Sequence, residues 1–207
     1  MNMKNKKIHQ KGFTLPEIMV YITLVAILLS GVATLLISSI KYHKTAERIA
    51  DLQHNALIAL TNLSNDLSES QGDAIYRDEN ENNWLLFPSP KNITTGGHSF
   101  DDSGSMYWQK WVAYYIETDN DGVDNLVKKE MTLNPMSIEP GVPPANDLIG
   151  IKQAQGSVRV IARGVEEFTV TQGANGNSYI ISVVIDRTTD TTKANKINAR
   201  TEIAVMN

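Results

Sequence analysis

Hydrophobic and polar residues are distributed unevenly along this chain, and the sharpest change lies near its N-terminus. Residues 18–40 form a run of 23 without a charge, in which only scattered Thr, Ser and Gly interrupt the apolar side chains. At a helical rise of about 1.5 Å per residue the run spans about 34 Å, which is enough to cross a bilayer core of about 30 Å. The pattern predicts a membrane-spanning helix.

The segment that follows continues the helix with an amphipathic pattern. Between residues 41 and 72, apolar positions recur at intervals of three and four, with charged and amide side chains between them. These apolar positions are Ile49, Leu52, Ala56, Leu60, Leu63 and Leu67. Gly72 is a suitable terminator. We therefore predict one helix over residues 13–70, with an apolar first half and an amphipathic second half.

Residues 73–207 show the pattern of strands. Short runs rich in β-branched and aromatic residues alternate with turn residues. The predicted strands are 84–87, 106–118, 126–133, 158–162, 166–171, 179–186 and 199–206. Asp121-Gly122 and Asn175-Gly176 mark hairpin turns, and four prolines indicate a loop over 134–147. One long helix followed by strands predicts an α+β fold, with an antiparallel sheet laid on the helix.

Charge is distributed as unevenly as hydrophobicity. The net charge of −4 combines a +4 segment over residues 1–12, which holds Lys4, Lys6, Lys7 and Lys11, with a remainder of 15 basic and 23 acidic residues. Lysines before the apolar run favour a cytoplasmic N-terminus and an external C-terminus. The acidic remainder argues against nucleic acid as a partner. The chain has no cysteine, which excludes disulfides and thiolate chemistry.

Two ordinary explanations of the N-terminus are incomplete. A cleaved signal peptide fits the basic start, but the apolar run is too long and no small-x-small cleavage signal ends it. A plain signal anchor leaves Glu17 unexplained, because a carboxylate at the bilayer centre raises the free energy of membrane insertion by about 2.5–3.5 kcal/mol. An acid at the edge of such a run requires a partner.

The run Lys11-Gly12-Phe13-Thr14-Leu15-Pro16-Glu17, followed by an uninterrupted apolar helix, resembles the class III signal of type IV pilins and type II secretion pseudopilins. The resemblance implies that a prepilin peptidase cuts after Gly12 and that Phe13 is then N-methylated. It also implies that Glu17 pairs with the N-terminal amine of a neighbouring subunit during assembly. Opposite charges in a low dielectric are each costly alone and tolerable as a pair. Pro16 departs from the aliphatic residue that is usual at this position. In the first turn of a helix a proline causes little loss of stability, because no helical hydrogen bond is removed. The departure indicates a minor component and not a major pilin.

The resemblance implies a domain organisation, a location and a set of partners. Residues 1–12 are the leader, 13–40 the transmembrane and assembly helix, 41–72 its amphipathic half, and 73–207 a globular β-rich domain with pilin architecture. The subunit would cross the bacterial inner membrane once, with its C-terminus in the periplasm or outside, and then enter a filament. Its partners would be the prepilin peptidase, other pilin or pseudopilin subunits, the inner-membrane assembly platform, and membrane lipid before assembly. The pattern from Val165-Glu166-Glu167-Phe168 to the C-terminus also resembles minor pseudopilins of the J or W type.

A short acidic segment is the best candidate for local chemistry. Asp119, Asp121 and Asp124 surround Gly122, and three carboxylates could supply oxygen ligands to calcium. The segment lacks the spacing and distal Glu of an EF-hand. Acids and glycine are equally what an exposed hairpin turn selects, and the plain turn is favoured. No other cofactor is expected.

The remaining candidate residues are weaker. A cluster of aromatic residues could form a sugar-stacking platform, although a buried strand is favoured; its members are Tyr107, Trp108, Trp111, Tyr114 and Tyr115. The four histidines show no metal spacing, and His43 suits the membrane rim. Because hydrolase, P-loop, zinc-protease and dinucleotide fingerprints are missing from the sequence, we do not expect an enzyme.

These observations predict a minor pilin or pseudopilin, assembled into a type II secretion pseudopilus or a type IV pilus through its N-terminal helix. Two alternatives stay open. One is a membrane-anchored adhesin or carbohydrate-binding module. The other is a DNA-uptake pilin, which would need a basic surface patch, whereas the domain is acidic.

Overall fold

The computed structural model describes residues 12–78, 83–174, 176–186 and 196–205. Contacts divide the chain into two compact units, Met1–Arg48 and Ile49–Asn207. The four lysines of the predicted leader lie outside the described residues, as does the first of the four histidines, His9. Asn175 of the second predicted turn and Met206 of the last predicted strand also lie outside them.

One helix, α1, runs from Leu15 to Ser68. It confirms the predicted long helix, although it begins two residues after the predicted start and ends two residues before the predicted end. Proline occurs only in its first turn, at Pro16, where no helical hydrogen bond is lost. Gly72 does not end α1 directly, because it begins a short 3-10 helix over Gly72–Ala74.

Five antiparallel strands form the larger sheet, in the order β1-β2-β3-β4-β5. They are β1 (Tyr76–Arg77), β2 (Trp84–Ser89), β3 (Trp108–Thr118), β4 (Asp124–Ser137) and β5 (Ser157–Arg163). The turn between β3 and β4 contains Gly122 at φ +75°, which confirms the Asp121-Gly122 prediction. The prediction of a loop over 134–147 is wrong at its start, because β4 continues to Ser137. Ser137 pairs with Trp108, beyond a register shift in β3.

Three further antiparallel strands form a second sheet, in the order β6-β7-β8, so the single predicted sheet is in fact two. They are β6 (Val165–Gln172), β7 (Ser178–Asp186) and β8 (Lys196–Ala204). The chain passes from β5 to β6 at Gly164, whose φ is +71°. A Cβ there would lie 3.0 Å from the carbonyl oxygen of Asp186. Only glycine therefore fits this passage between the sheets without strain.

The main core lies between the second half of α1 and both sheets. The helix contributes one buried stripe, Leu52, Ala56, Ala59, Leu63 and Leu67. Leu60 packs against this core partly buried, whereas Ile49, predicted on the same face, remains 37% exposed. The sheets contribute alternate side chains, among them Val112, Tyr114, Phe168, Ile181 and Val183. The amphipathic pattern is thus confirmed for most of the predicted positions.

The larger sheet is also buried on its other face. A second cluster gathers side chains that alternate with those of the main core, namely Trp84, Leu86, Trp111, Ala113, Tyr115, Val127 and Met131. A short helix, α2 (Leu148–Gln153), covers them with the fully buried Ile151. Lys129 holds this helix, since its Nζ donates to the carbonyl oxygen of Lys152 at 2.8 Å. β3 is therefore buried on both faces.

A charged network joins the end of α1 to the larger sheet. Lys128 Nζ lies 2.6 Å from Asp66 Oδ2 and 3.0 Å from Glu130 Oε1, and Lys110 Nζ lies 2.7 Å from that same Glu130 oxygen. The Tyr114 hydroxyl donates to Asp66 Oδ2 at 2.6 Å. These charged side chains are at most 20% exposed. Burial and the neighbouring Asp66 carboxylate raise the pKa of Tyr114 far above its usual range.

Candidate functional site

The residues of the candidate cleavage site precede the long helix. Gly12, Phe13 and Thr14 are not helical, and α1 begins at Leu15. The Phe13 side chain is 83% exposed. A Cβ added at Gly12 would meet no atom of the described residues within 4 Å. The fold itself therefore does not require glycine at position 12.

Thr14 and Glu17 cap the start of α1. The backbone N–H of Thr14 donates to Glu17 Oε2 at 2.8 Å, and the Thr14 hydroxyl donates to the same oxygen at 2.9 Å. Ile18 N donates to the Thr14 carbonyl oxygen at 3.2 Å, which closes the first helical turn. Thr and Glu three residues apart at a helix start form a capping pair. Sequence reasoning gave Thr14 no role, although the T-x-x-E spacing carries this signal.

The first part of α1 presents an apolar surface. The helix is long and apolar enough to cross a membrane by length and composition, and its most apolar window has no residue buried within the protein. Three hydroxyls of this part bond to their own helix: Thr23 donates to Met19 O, Ser30 to Ile27 O and Thr34 to Ser30 O. These three hydroxyls are thus satisfied without water, which suits a lipid or protein environment.

The acidic segment forms the turn between β3 and β4. Asp119 Oδ1 accepts from the backbone N–H groups of Asp121 and Val123 at 2.9 and 3.0 Å, and Asp119 Oδ2 accepts from Asn125 Nδ2 at 3.1 Å. Hydrogen bonds from Val123 and Asn125 lower the pKa of Asp119. Asp124 Oδ1 accepts from the Thr118 hydroxyl at 2.6 Å. The Asp119 and Asp124 carboxylates are therefore already hydrogen-bonded within the turn.

The three acidic residues also line one pocket of about 510 Å³, together with Arg163 and Glu166. Among the described residues no group of three His, Cys, Asp or Glu side chains is placed so that it could hold a metal ion. The pocket thus contains mixed charge, and its carboxylates do not converge on one point.

The aromatic cluster forms buried structure. Trp108, Trp111, Tyr114 and Tyr115 lie on β3 and are at most 6% exposed. Burial on both faces of the strand removes the surface that a sugar-stacking platform needs, and it confirms the favoured prediction. Of the histidines, His43 lies 3.4 Å from Glu47 and His98 lies 3.5 Å from Glu69.

Comparison with known proteins agrees with the N-terminal geometry. A protein-family model described as the prokaryotic N-terminal methylation motif matches residues 7–33. The match covers the Lys11–Glu17 signal and the start of α1, and it is the type IV pilin and pseudopilin signal that the sequence predicts. No curated protein and no solved structure matches the chain significantly.

The motif and the architecture together define the class of protein. The chain carries a pilin-type N-terminal signal on a long helix, and the rest of that helix packs against antiparallel sheets in an α+β fold. Such a motif on such a fold points to a structural subunit and not to an enzyme. The motif implies processing by a prepilin peptidase and assembly with other pilins. The long apolar helix suggests anchoring in a membrane.

Proposed function

We propose that this protein is a minor pilin or pseudopilin, a structural subunit of a type II secretion pseudopilus or a type IV pilus. The observation that carries the proposal is the methylation motif over residues 7–33, which ends inside a helix whose apolar surface is unburied. Peptidase cleavage after Gly12 leaves Phe13 as the methylated N-terminus. The apolar helix then anchors the subunit in the inner membrane and later lies among neighbouring helices in the filament.

Glu17 is the residue proposed to guide assembly. The amine of a neighbouring Phe13 supplies the positive partner that a carboxylate within an apolar bundle requires. The helix cap keeps the carboxylate near residue 14 of its own chain, one residue beyond the N-terminus that cleavage would create. Because Glu17 is present, we place the subunit behind the first tip position, where related subunits often lack this acid.

Processing is tested by mass spectrometry of the mature N-terminus after expression with a prepilin peptidase. The expected species begins with N-methylated Phe13, and a chain that retains Met1 overturns the proposal. Gly12→Val is the matched variant, because a Cβ at this position meets no atom of the described residues within 4 Å. It should accumulate as the uncleaved, folded precursor, so a processing failure is separated from a folding failure.

Genomic neighbours would separate the secretion, pilus and DNA-uptake systems, because each is encoded with its own ATPase and outer-membrane partners. We favour secretion or pilus assembly over DNA uptake, since 23 acidic residues outnumber 15 basic ones after residue 12. Phosphate binding requires the opposite balance.

A further inference from the structure

A pocket of about 420 Å³ lies where the ladder between β3 and β4 is interrupted. Trp108 pairs with Ser137 and Lys110 pairs with Thr132, so one residue of β3 is opposed by residues 133–136 of β4. Within the described part of the chain, residues 133–136 have no register partner on β3 or β5. β4 therefore bulges away from β3 at this point. The pocket lies between this bulge and the loop that follows β2.

The inner wall of the pocket is held by hydrogen bonds. Gln109, the β3 residue at the interruption, is only 3% exposed, and its Nε2 donates to the carbonyl oxygen of Pro90 at 2.8 Å. Gln109 Oε1 accepts from Asn92 Nδ2 at 2.9 Å. Asn92 Oδ1 in turn accepts from the backbone N–H groups of Thr94 and Thr95 at 2.8 and 3.0 Å. This wall is formed before any ligand arrives, which lowers the free-energy cost of binding.

Three other polar side chains line the pocket and are exposed, namely Thr94, Thr132 and Asn134. No hydrogen bond from another described residue reaches the side chains of Thr132 and Asn134. A hydroxyl and a carboxamide can each donate and accept. Ile93 and Met136 add apolar surface at the pocket, and Met136 is 50% exposed. The pocket thus offers groups that both donate and accept, beside a small apolar surface.

The lining also determines the charge of a suitable ligand. None of the described residues that line this pocket is charged, whereas acidic and basic side chains both line the pocket at the Asp119 turn. An ionised ligand binds best where an opposite charge meets it. A purely apolar ligand would remove water from Thr132 and Asn134 without replacing its hydrogen bonds. The lining therefore favours a neutral ligand that is rich in hydroxyl groups.

We propose that this pocket is a binding site for a neutral saccharide. The hydroxyls of the sugar both donate to and accept from Thr94, Thr132 and Asn134, and the C–H face of its ring packs on Ile93 and Met136. The volume lies within the range of about 300–1,000 Å³ that is usual for small-molecule pockets. The site is separate from the aromatic cluster of β3, which is buried. This inference goes beyond the proposed function and does not depend on N-terminal processing.

A neutral peptide is the competing class of ligand. An extended peptide would bind by pairing its backbone with the open part of β4, as an added strand does. Pro135 lies in the middle of residues 133–136 and has no N–H to donate. A peptide residue also brings only one backbone donor and one backbone acceptor. The pocket therefore matches a saccharide better than an added strand.

Saturation-transfer NMR of the full-length protein tests the proposal. The protein is kept in a zwitterionic detergent, because maltoside detergents are themselves saccharides. The probes are glucose, galactose, mannose, N-acetylglucosamine and maltose, each added alone, with a capped tetra-alanine peptide as the competing class. Saturation should pass from the protein to at least one of the saccharides and not to the peptide. Transfer to none of the saccharides overturns the proposal, and transfer to the peptide alone identifies a peptide site instead.

Threonine variants locate the bound saccharide. Thr94→Val and Thr132→Val each remove one exposed hydroxyl and should each weaken binding about fivefold, which corresponds to the loss of one hydrogen bond of about 1 kcal/mol. Thr171→Val, the same change at an exposed position of β6 outside the pocket, is the matched control and should bind as the wild type does. Circular dichroism melts show that each variant is folded. Wild-type affinity in both folded pocket variants places the saccharide elsewhere and overturns the proposal.

Discussion

Glu17 accepts two hydrogen bonds from Thr14 of its own chain, and the proposed function gives the same carboxylate a charged partner in a neighbouring subunit. The two tasks need different properties. Capping needs an acceptor oxygen, which an amide also provides, whereas pairing with an amine needs negative charge. Substitutions at residues 14 and 17 therefore separate the two roles.

Glu17→Gln should leave membrane insertion unchanged and reduce the subunit recovered in sheared filaments by about tenfold or more, because an unpaired buried charge costs roughly 3–5 kcal/mol. Glu17→Ala should behave in the same way. Thr14→Val removes the hydroxyl donor but keeps the charge, and it should assemble nearly as the wild type does. Immunoblots of membrane and filament fractions measure both quantities. Normal filament incorporation of Glu17→Gln would contradict the assembly role.

The Asp119 turn leads to an expectation about calcium. Because the Asp119 and Asp124 carboxylates already accept hydrogen bonds within the turn, we expect no saturable heat when calcium is titrated to millimolar concentration into the full-length protein in detergent. A saturable isotherm that Asp119→Ala abolishes would show that the segment is a calcium site and not a plain turn.

At the scale of elements, the charged network fastens the end of α1 to β3 and β4. Asp66→Ala leaves Lys128 without its helix partner and Tyr114 without its acceptor. The free energy of unfolding should fall by about 3 kcal/mol, the lower end of the range for a broken buried pair. Glu166→Ala breaks an exposed ion pair with Lys196 and should cost far less. Urea unfolding of both variants measures the difference, and equal losses would contradict the network's role.

Glu130 makes the same network sensitive to acid. Burial alone would raise the pKa of Glu130, but hydrogen bonds and charge from Lys110 and Lys128 outweigh it, so the pKa is lowered. Because the pKa of Glu130 is lower in the folded protein, the ionised carboxylate stabilises the fold at pH values above its unfolded pKa of about 4.3. This stabilisation is lost as the pH falls through the pKa of the folded protein. Glu130→Gln should therefore flatten the decline of the urea midpoint below about pH 5. Glu139→Gln controls for the lost charge and should keep the wild-type slope.

The sequence predicts those elements whose pattern is local and strong. α1 follows from its hydrophobic periodicity, and seven of the strands follow from β-branched and aromatic runs between turns. β1 and α2 were missed because two residues and six residues are too short to show a period. β4 passes through Pro135 because pairing with Trp108 holds the strand beyond it, which is a tertiary effect. The burial of both faces of β3 likewise depends on a distant segment, α2.

At the scale of the whole molecule, the average composition hides two regions with different surroundings. The first part of α1 exposes almost only apolar side chains, whereas the buried residues of the helix lie between Leu52 and Leu67. The folding core therefore needs the later part of the helix and not its apolar first part.

Two truncations test this division. A chain that begins at His43 keeps every buried residue of α1 and should be soluble, with one cooperative thermal transition. A chain that begins at Thr61 loses Leu52, Ala56 and Ala59 from the core. Burial of Leu52 contributes about 1.5–3 kcal/mol and burial of each alanine methyl about 0.8 kcal/mol, so the loss is comparable with the lower end of a domain's total stability, about 5–15 kcal/mol. Circular dichroism melts should show the longer form folded and the shorter form largely unfolded. A shorter form with wild-type stability would contradict the division.

The helix cap at Thr14 has a consequence for the rate of proteolysis. A protease must draw several residues around the scissile bond into an extended shape, and in a helix this requires local unfolding first. Here the peptide bond between Gly12 and Phe13 lies before the capped turn, and α1 begins only at Leu15. The proposed cleavage at this bond would therefore require at most the capped first turn to open. The subunit could then be processed while the rest of α1 remains formed.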